Sequence, residues 1–230
     1  MKGILIGAWI GGLALLAGCS DAEIGSSRDV AHDAIYFDYA VDGEEGGNIT
    51  CKLQYKFAGK NGTSLVLDSP SRVLLDGKML QADSAKYSGA FYEITMPASE
   101  FAGDHSIAFT GVNGKLYEEK FQFMPISLKA PLDSVLERKE FTLELSNVKQ
   151  GSVPFRLVLT DTSFNQNWFN DMVMARNGKI LITQAMINRL RPGPVGLELY
   201  WEEERPLQQP SKEGGRFTIN YALKREAMLR

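Results

Sequence analysis

Reactive side chains are sparse in this 230-residue chain, which carries two cysteines, Cys19 and Cys51, and two histidines, His32 and His105. His105 follows Asp104, but a Ser-His-Asp relay would have to be assembled from distant positions. No G-x-S-x-G elbow, H-E-x-x-H helix or C-x-x-C pair is present. We therefore expect no catalytic residues, no metal site and no cofactor. Asp38, Asp42, Glu44 and Glu45 offer hard oxygen ligands suited to Ca²⁺, yet they lack the spacing of a calcium loop. A solvated turn is their simpler reading. The run Asn165-Gln166-Asn167-Trp168-Phe169-Asn170 is the richest in recognition chemistry. Trp168 and Phe169 could stack on a sugar ring while Asn165, Asn167 and Asn170 hydrogen-bond its hydroxyls. Equally, the two aromatics could close one end of a core, since such residues dominate cores and interfaces alike.

The elements that would position these residues are strands. Ile49, Cys51, Leu53, Tyr55 and Phe57 alternate with Thr50, Lys52, Gln54 and Lys56, the period of a half-buried strand. Ile35, Phe37, Tyr39 and Val41 repeat the pattern, as do Phe141, Leu143 and Leu145. So do Val195, Leu197, Leu199 and Trp201, and then Phe217, Ile219, Tyr221 and Leu223. Asn-Gly and Asp-Gly pairs such as Asn61-Gly62, Asp76-Gly77 and Asn177-Gly178 punctuate the runs and supply the positive φ of tight turns. A weak repeat divides the body. Ile94, Phe101, Ile107 and Phe109 are echoed by Ile182, Leu190, Leu197 and Leu199, each set followed by a further apolar strand. That order resembles the last three strands of an immunoglobulin-like sandwich. The expected fold is all-β, with two such sandwiches in tandem over 34–128 and 131–225 and a break near Lys129-Ala130-Pro131. A single larger sandwich or barrel is the alternative. The loop from Arg205 to Gly215 is long for a hairpin and could rim a binding surface.

The N-terminus supplies an address. Met1-Lys2, an apolar run from Ile4 to Leu16, and Leu16-Ala17-Gly18-Cys19 have the layout of a secretory signal. The ending resembles a bacterial lipobox, in which residues 1–18 are removed and Cys19 takes a thioether-linked diacylglycerol. Ser20 to Asp33 is polar, so 19–33 reads as a lipidated, flexible tether. Loss of Lys2 leaves 24 Lys and Arg against 28 Asp and Glu, a net of −4. Neither a nucleic-acid surface nor a polybasic membrane grip is expected at that balance. The membrane contact would be the lipid on Cys19. With Cys19 acylated, Cys51 has no intramolecular partner. On the apolar face of its strand it reads as a buried core residue rather than a redox or metal thiol.

Leu159-Thr160-Asp161-Thr162-Ser163, Asn177 to Ile182, Pro192-Gly193-Pro194 and Phe217 to Glu226 resemble envelope lipoproteins of Bacteroidota-type bacteria. The resemblance covers roughly 130–228 and brings no catalytic residues. It implies a lipid-anchored protein of the bacterial cell envelope. Ser20 directly after Cys19 resembles lipoproteins released to the outer membrane. With the lipobox, the alternation and the lack of a catalytic constellation, the expectation is a non-enzymatic interaction or structural module with an envelope protein or glycan as partner. The resemblance also implies O-glycosylation at Ser84 in Asp83-Ser84-Ala85 and at Ser134 in Asp133-Ser134-Val135.

Overall fold

A computed structural model describes residues 23–162 and 168–230. The first strands in chain order are β1 (Ile24–Ser26), β2 (Ile35–Glu44), β3 (Asn48–Phe57), β4 (Thr63–Val66) and β5 (Arg72–Leu75). After them come β6 (Lys78–Met79), β7 (Ala82–Ala85), β8 (Gly89–Pro97), β9 (Gly103–Thr110) and β10 (Leu116–Phe123). β2, β3, β8 and β7 form one layer in that order, and β10, β9, β5 and β6 form another. This is the ABED-against-GFC arrangement of an immunoglobulin-like sandwich. The alternating residues of β2 and β3 point inward as expected: Phe37, Tyr39, Leu53 and Tyr55 are buried. Aromatics knit the two layers, with Phe109 of β9 4.4 Å from Tyr55 and 5.1 Å from Phe37 between ring centroids.

The remaining strands are β11 (Ser127–Leu128), β12 (Val135–Leu136), β13 (Phe141–Ser146), β14 (Ser152–Asp161), β15 (Phe169–Arg176), β16 (Lys179–Ile182), β17 (Gly193–Pro206) and β18 (Gly215–Leu229). One short helix, α1 (Gln184–Ile187), fills the corner before β17. The orders β11-β13-β16 and β18-β17-β14-β15 repeat the same immunoglobulin-like plan. Phe101 and Leu190, the residues that marked the internal repeat, are buried in the corners before β9 and β17.

The joint between the two strand sets is a shared hairpin. β17 and β18 pair along their whole length, from Gly193 opposite Leu229 to Pro206 opposite Arg216. Their half nearest Leu229 packs with β14. Their other half leaves that layer, and Gly215 to Ala222 pairs in parallel with Phe37 to Glu44 of β2. One continuous sheet therefore runs from β7 through β2 and β18 to β15. Phe217 and Tyr221 reach into the core of the first set, 4.7 Å from Phe121 and 5.7 Å from Phe123. Burying a side chain such as Phe217 or Ile219 contributes roughly 1.5–3 kcal/mol, which holds the hairpin across the joint.

One expectation is corrected. Of the expected tether 19–33, residues 24–33 are not a free flexible segment. β1 pairs in parallel with β4, Ser27 is fully buried, and its Oγ accepts the N–H of Asp68 at 2.9 Å. His32–Ala34 forms a 3₁₀ turn against β2. A polar segment cannot build a core, but it can satisfy the free edge of a sheet through backbone groups and small hydroxyls. The loop from Arg205 to Gly215 is fastened to the body, with Gln208, Gln209, Pro210, Lys212 and Glu213 left exposed. Leu207 and Ser211 are buried, and Ser211 Oγ donates to the Ile35 carbonyl at 2.6 Å. Gln208 and Gln209 bond backbone groups of β10 at Glu118 and Lys120. The loop covers an edge strand that would otherwise expose unpaired donors and acceptors.

Candidate functional site

The aromatic run splits in two. Phe169 opens β15 opposite Leu159 and is 8% exposed, with the Arg189 guanidinium 5.4 Å above its ring. Trp168, one residue earlier, is 47% exposed, and Asn170 is exposed as well. Neighbouring side chains on an extended backbone leave on opposite faces, so the pair cannot form one aromatic platform. One ring packs and the other meets solvent. Asn165 and Asn167 lie outside the described residues. Exposed Met172 and Met174 continue the Trp168 side of β15, with Asn170 between Trp168 and Met172.

A second cluster, missed by sequence reasoning, lies on the outer face at the joint. Asp42, Glu44, Thr50, Arg156, Tyr200, Glu202, Asn220 and Lys224 line a shallow concavity of about 600 Å³. Arg156 lies 4.3 Å above the Tyr200 ring and donates to Glu202 through Nε at 3.0 Å and Nη2 at 2.6 Å. Tyr200 donates to the Glu198 carboxylate, which with partial burial holds its phenol above the usual value. Asn220 donates to Asp42 at 2.6 Å, and Lys224 pairs with Glu44. These residues are scattered from 42 to 224. Their only signal in sequence was the polar half of each alternating strand.

The carboxylates considered for Ca²⁺ are instead held by cations and amides. Asp38 accepts from Lys56 and from Arg216 Nε, each at 2.7 Å, while Glu45 pairs with Arg225. Among the described residues no group of three or more His, Cys, Asp or Glu is placed to hold a metal ion. Burial pushes the Cys51 thiol up to about 12, in keeping with a core residue. His105 bridges the Asp76 carboxylate at 2.7 Å and the Phe101 carbonyl at 2.6 Å, stacked 4.1 Å from the Phe101 ring. It ties a turn to a corner. Ser84 and Ser134 are both exposed. Cys19 lies outside the described residues.

No protein-family model matches the chain, and no curated protein matches it. Among solved structures, the tetra-tandem repeat in the extending region of a large adhesion protein is similar at 12% identity and a TM-score of 0.26. That match covers 86% of this chain and 50% of the other, so the chain spans half of the adhesion-protein fragment. Tandem Ig repeats of Dlar match at 9% identity and a TM-score of 0.25, over 81% of this chain and 98% of theirs. The Bacteroides ovatus mixed-linkage glucan utilization locus protein SGBP-B, solved with a mixed-linkage heptasaccharide, matches at 12% identity and a TM-score of 0.19, over 93% and 69%. Likeness this slight assigns neither arrangement nor ligand. The immunoglobulin-like plan rests on the strand order itself.

Proposed function

We propose that this chain is a non-enzymatic binding module of the bacterial cell envelope, anchored at the outer membrane by lipid on Cys19. In this reading the units 34–128 and 131–225 form one body that presents the Trp168 end to an envelope protein or glycan. The observation that supports it is the register. The chain enters the body beside Thr63 and Phe57, level with Ile35, close to where β18 begins at Gly215 opposite Phe37. Phe169 lies level with Leu159, Leu197 and Arg225, toward the other end of β18. From Gly215 to Arg225 is roughly 35 Å at about 3.3–3.4 Å per residue. Entry and aromatic end are thus at opposite ends of one sheet.

Glycan as the ligand is favoured by exposure of Trp168 beside Asn170. The mature chain and its Trp168→Ala variant, screened on immobilised polysaccharides, test it. We expect binding that is lost in the variant while its melting point is unchanged, because an exposed side chain contributes within about 0.5 kcal/mol to stability. Binding indifferent to Trp168→Ala, or absent, would refer the Trp168 end to a protein partner or to a structural role. Intact-mass measurement of protein from envelopes tests Cys19 acylation and glycosylation at Ser84 and Ser134 together.

A further inference from the structure

The short distance between Cys19 and the folded body has a mechanical consequence. The chain from Cys19 to Glu23 spans at most about 14 Å, whatever its path. Glu23 itself is tied down, its carbonyl accepting from Ser64 Oγ at 3.3 Å and Ile24 pairing with Ser64. A lipid on Cys19 sits at headgroup level, in a polar layer roughly 5–7 Å deep. The leash keeps Glu23 within about 14 Å of the headgroups, so the end of the body that bears Glu23 is the one held beside that layer.

The end of the body that the leash leads to carries exposed apolar and basic side chains. Ile24 is 45% exposed and Phe57 41%, while Tyr87 is 75% exposed at the tip of the β7–β8 turn. Gln54 Nε2 donates to the Ser88 carbonyl at 2.7 Å, which brings that turn to the last residues of β3. Lys60 is exposed in the adjoining β3–β4 hairpin, and Lys86 Nζ lies 5.6 Å from the centre of the Tyr87 ring. Aromatic rings with an apolar body and a polar tip, beside lysines with long stems, are the side chains that settle at a membrane–water interface. We infer that this rim, formed by Ile24, Phe57, Lys60, Lys86 and Tyr87, is seated on the phospholipid headgroups and sets the body upright on the membrane. The inference rests on acylation of Cys19. It goes beyond that reading by naming a protein surface that touches lipid.

The test uses the mature chain coupled through Cys19 to maleimide lipid in phosphatidylethanolamine–phosphatidylglycerol vesicles; Cys51 is buried and leaves Cys19 as the thiol to couple. Amide hydrogen exchange at 57–63 and 85–89 is expected to slow several-fold on vesicles relative to free protein, with 168–176 unchanged. The double variant Lys60→Glu, Tyr87→Glu, altered only at exposed positions, is expected to lose that protection while keeping its melting point. A long glycine-serine insert before Glu23 should weaken it likewise. Unchanged exchange at the rim, protection at 168–176 instead, or protection that survives the double variant would overturn the seating. An unlipidated mass for the native protein would overturn the anchor while leaving the coupled-vesicle result to stand on its own.

Discussion

Individual side chains here reveal themselves in sequence only when one strand face decides their surroundings. Cys51 was legible because Ile49 and Leu53 share its face, and all three are buried. A hydroxyl in its place would enter an apolar site, so Cys51→Ser should cost about 1–3 kcal/mol in urea unfolding. The native thiol should resist alkylation until the chain unfolds. Asp38 was not legible, because its partners Lys56 and Arg216 come from two other strands. Burial pushes its carboxyl up, but hydrogen bonds and charge from Arg216 and Lys56 outweigh this and hold it below the ordinary value. A depressed folded pKa gives stability that is complete above the unfolded value and lost as pH falls through the folded one. Asp38→Asn should therefore destabilise by about 2 kcal/mol near neutrality. Its deficit should shrink as pH falls through and below the ordinary carboxylate range, measured by denaturant titration at each pH.

Among the elements, strands were read well and their ends poorly. The alternation of Val195 to Trp201 and of Phe217 to Leu223 marked β17 and β18, yet nothing local showed that both continue past one layer into another. The apparent loop beyond Arg205 is the turn of that long hairpin. Glu119, buried in β10, pairs with Arg205 at 2.7 Å and accepts the Gln208 N–H at 2.7 Å, so the turn is fastened by residues nearly ninety positions away. β1 escaped notice for a related reason, since a strand held by its backbone needs no apolar face. Close approach of β18 to β2 depends on Gly215, where an added Cβ would lie 2.7 Å from the Phe37 carbonyl and 2.5 Å from Leu207 Cδ1. Gly215→Val should cost more than about 2 kcal/mol and raise hydrogen exchange at Tyr36 to Ala40. Unchanged exchange there would mean that β2 holds without the hairpin.

Across the whole molecule, the β17–β18 hairpin makes the halves interdependent. Buried residues from both belong to one contiguous apolar cluster. Phe109→Ala and Phe155→Ala, in opposite halves, should each cost about 3–5 kcal/mol. Each should lower the same single calorimetric transition. Two transitions, each moved by one variant alone, would show that the hairpin does not couple them. By itself the sequence determined the all-β class, the inward face of each main strand and the turns between them. Those follow from period-two alternation and local φ preferences, which need no distant partner. Tertiary structure alone decided that β18 pairs with β2 across some 178 positions, that Phe169 packs while Trp168 faces solvent, and that Ile24–Ser26 joins the sheet. Strand pairing is written in backbone groups that every residue shares, so partner and register emerge only when distant apolar faces meet.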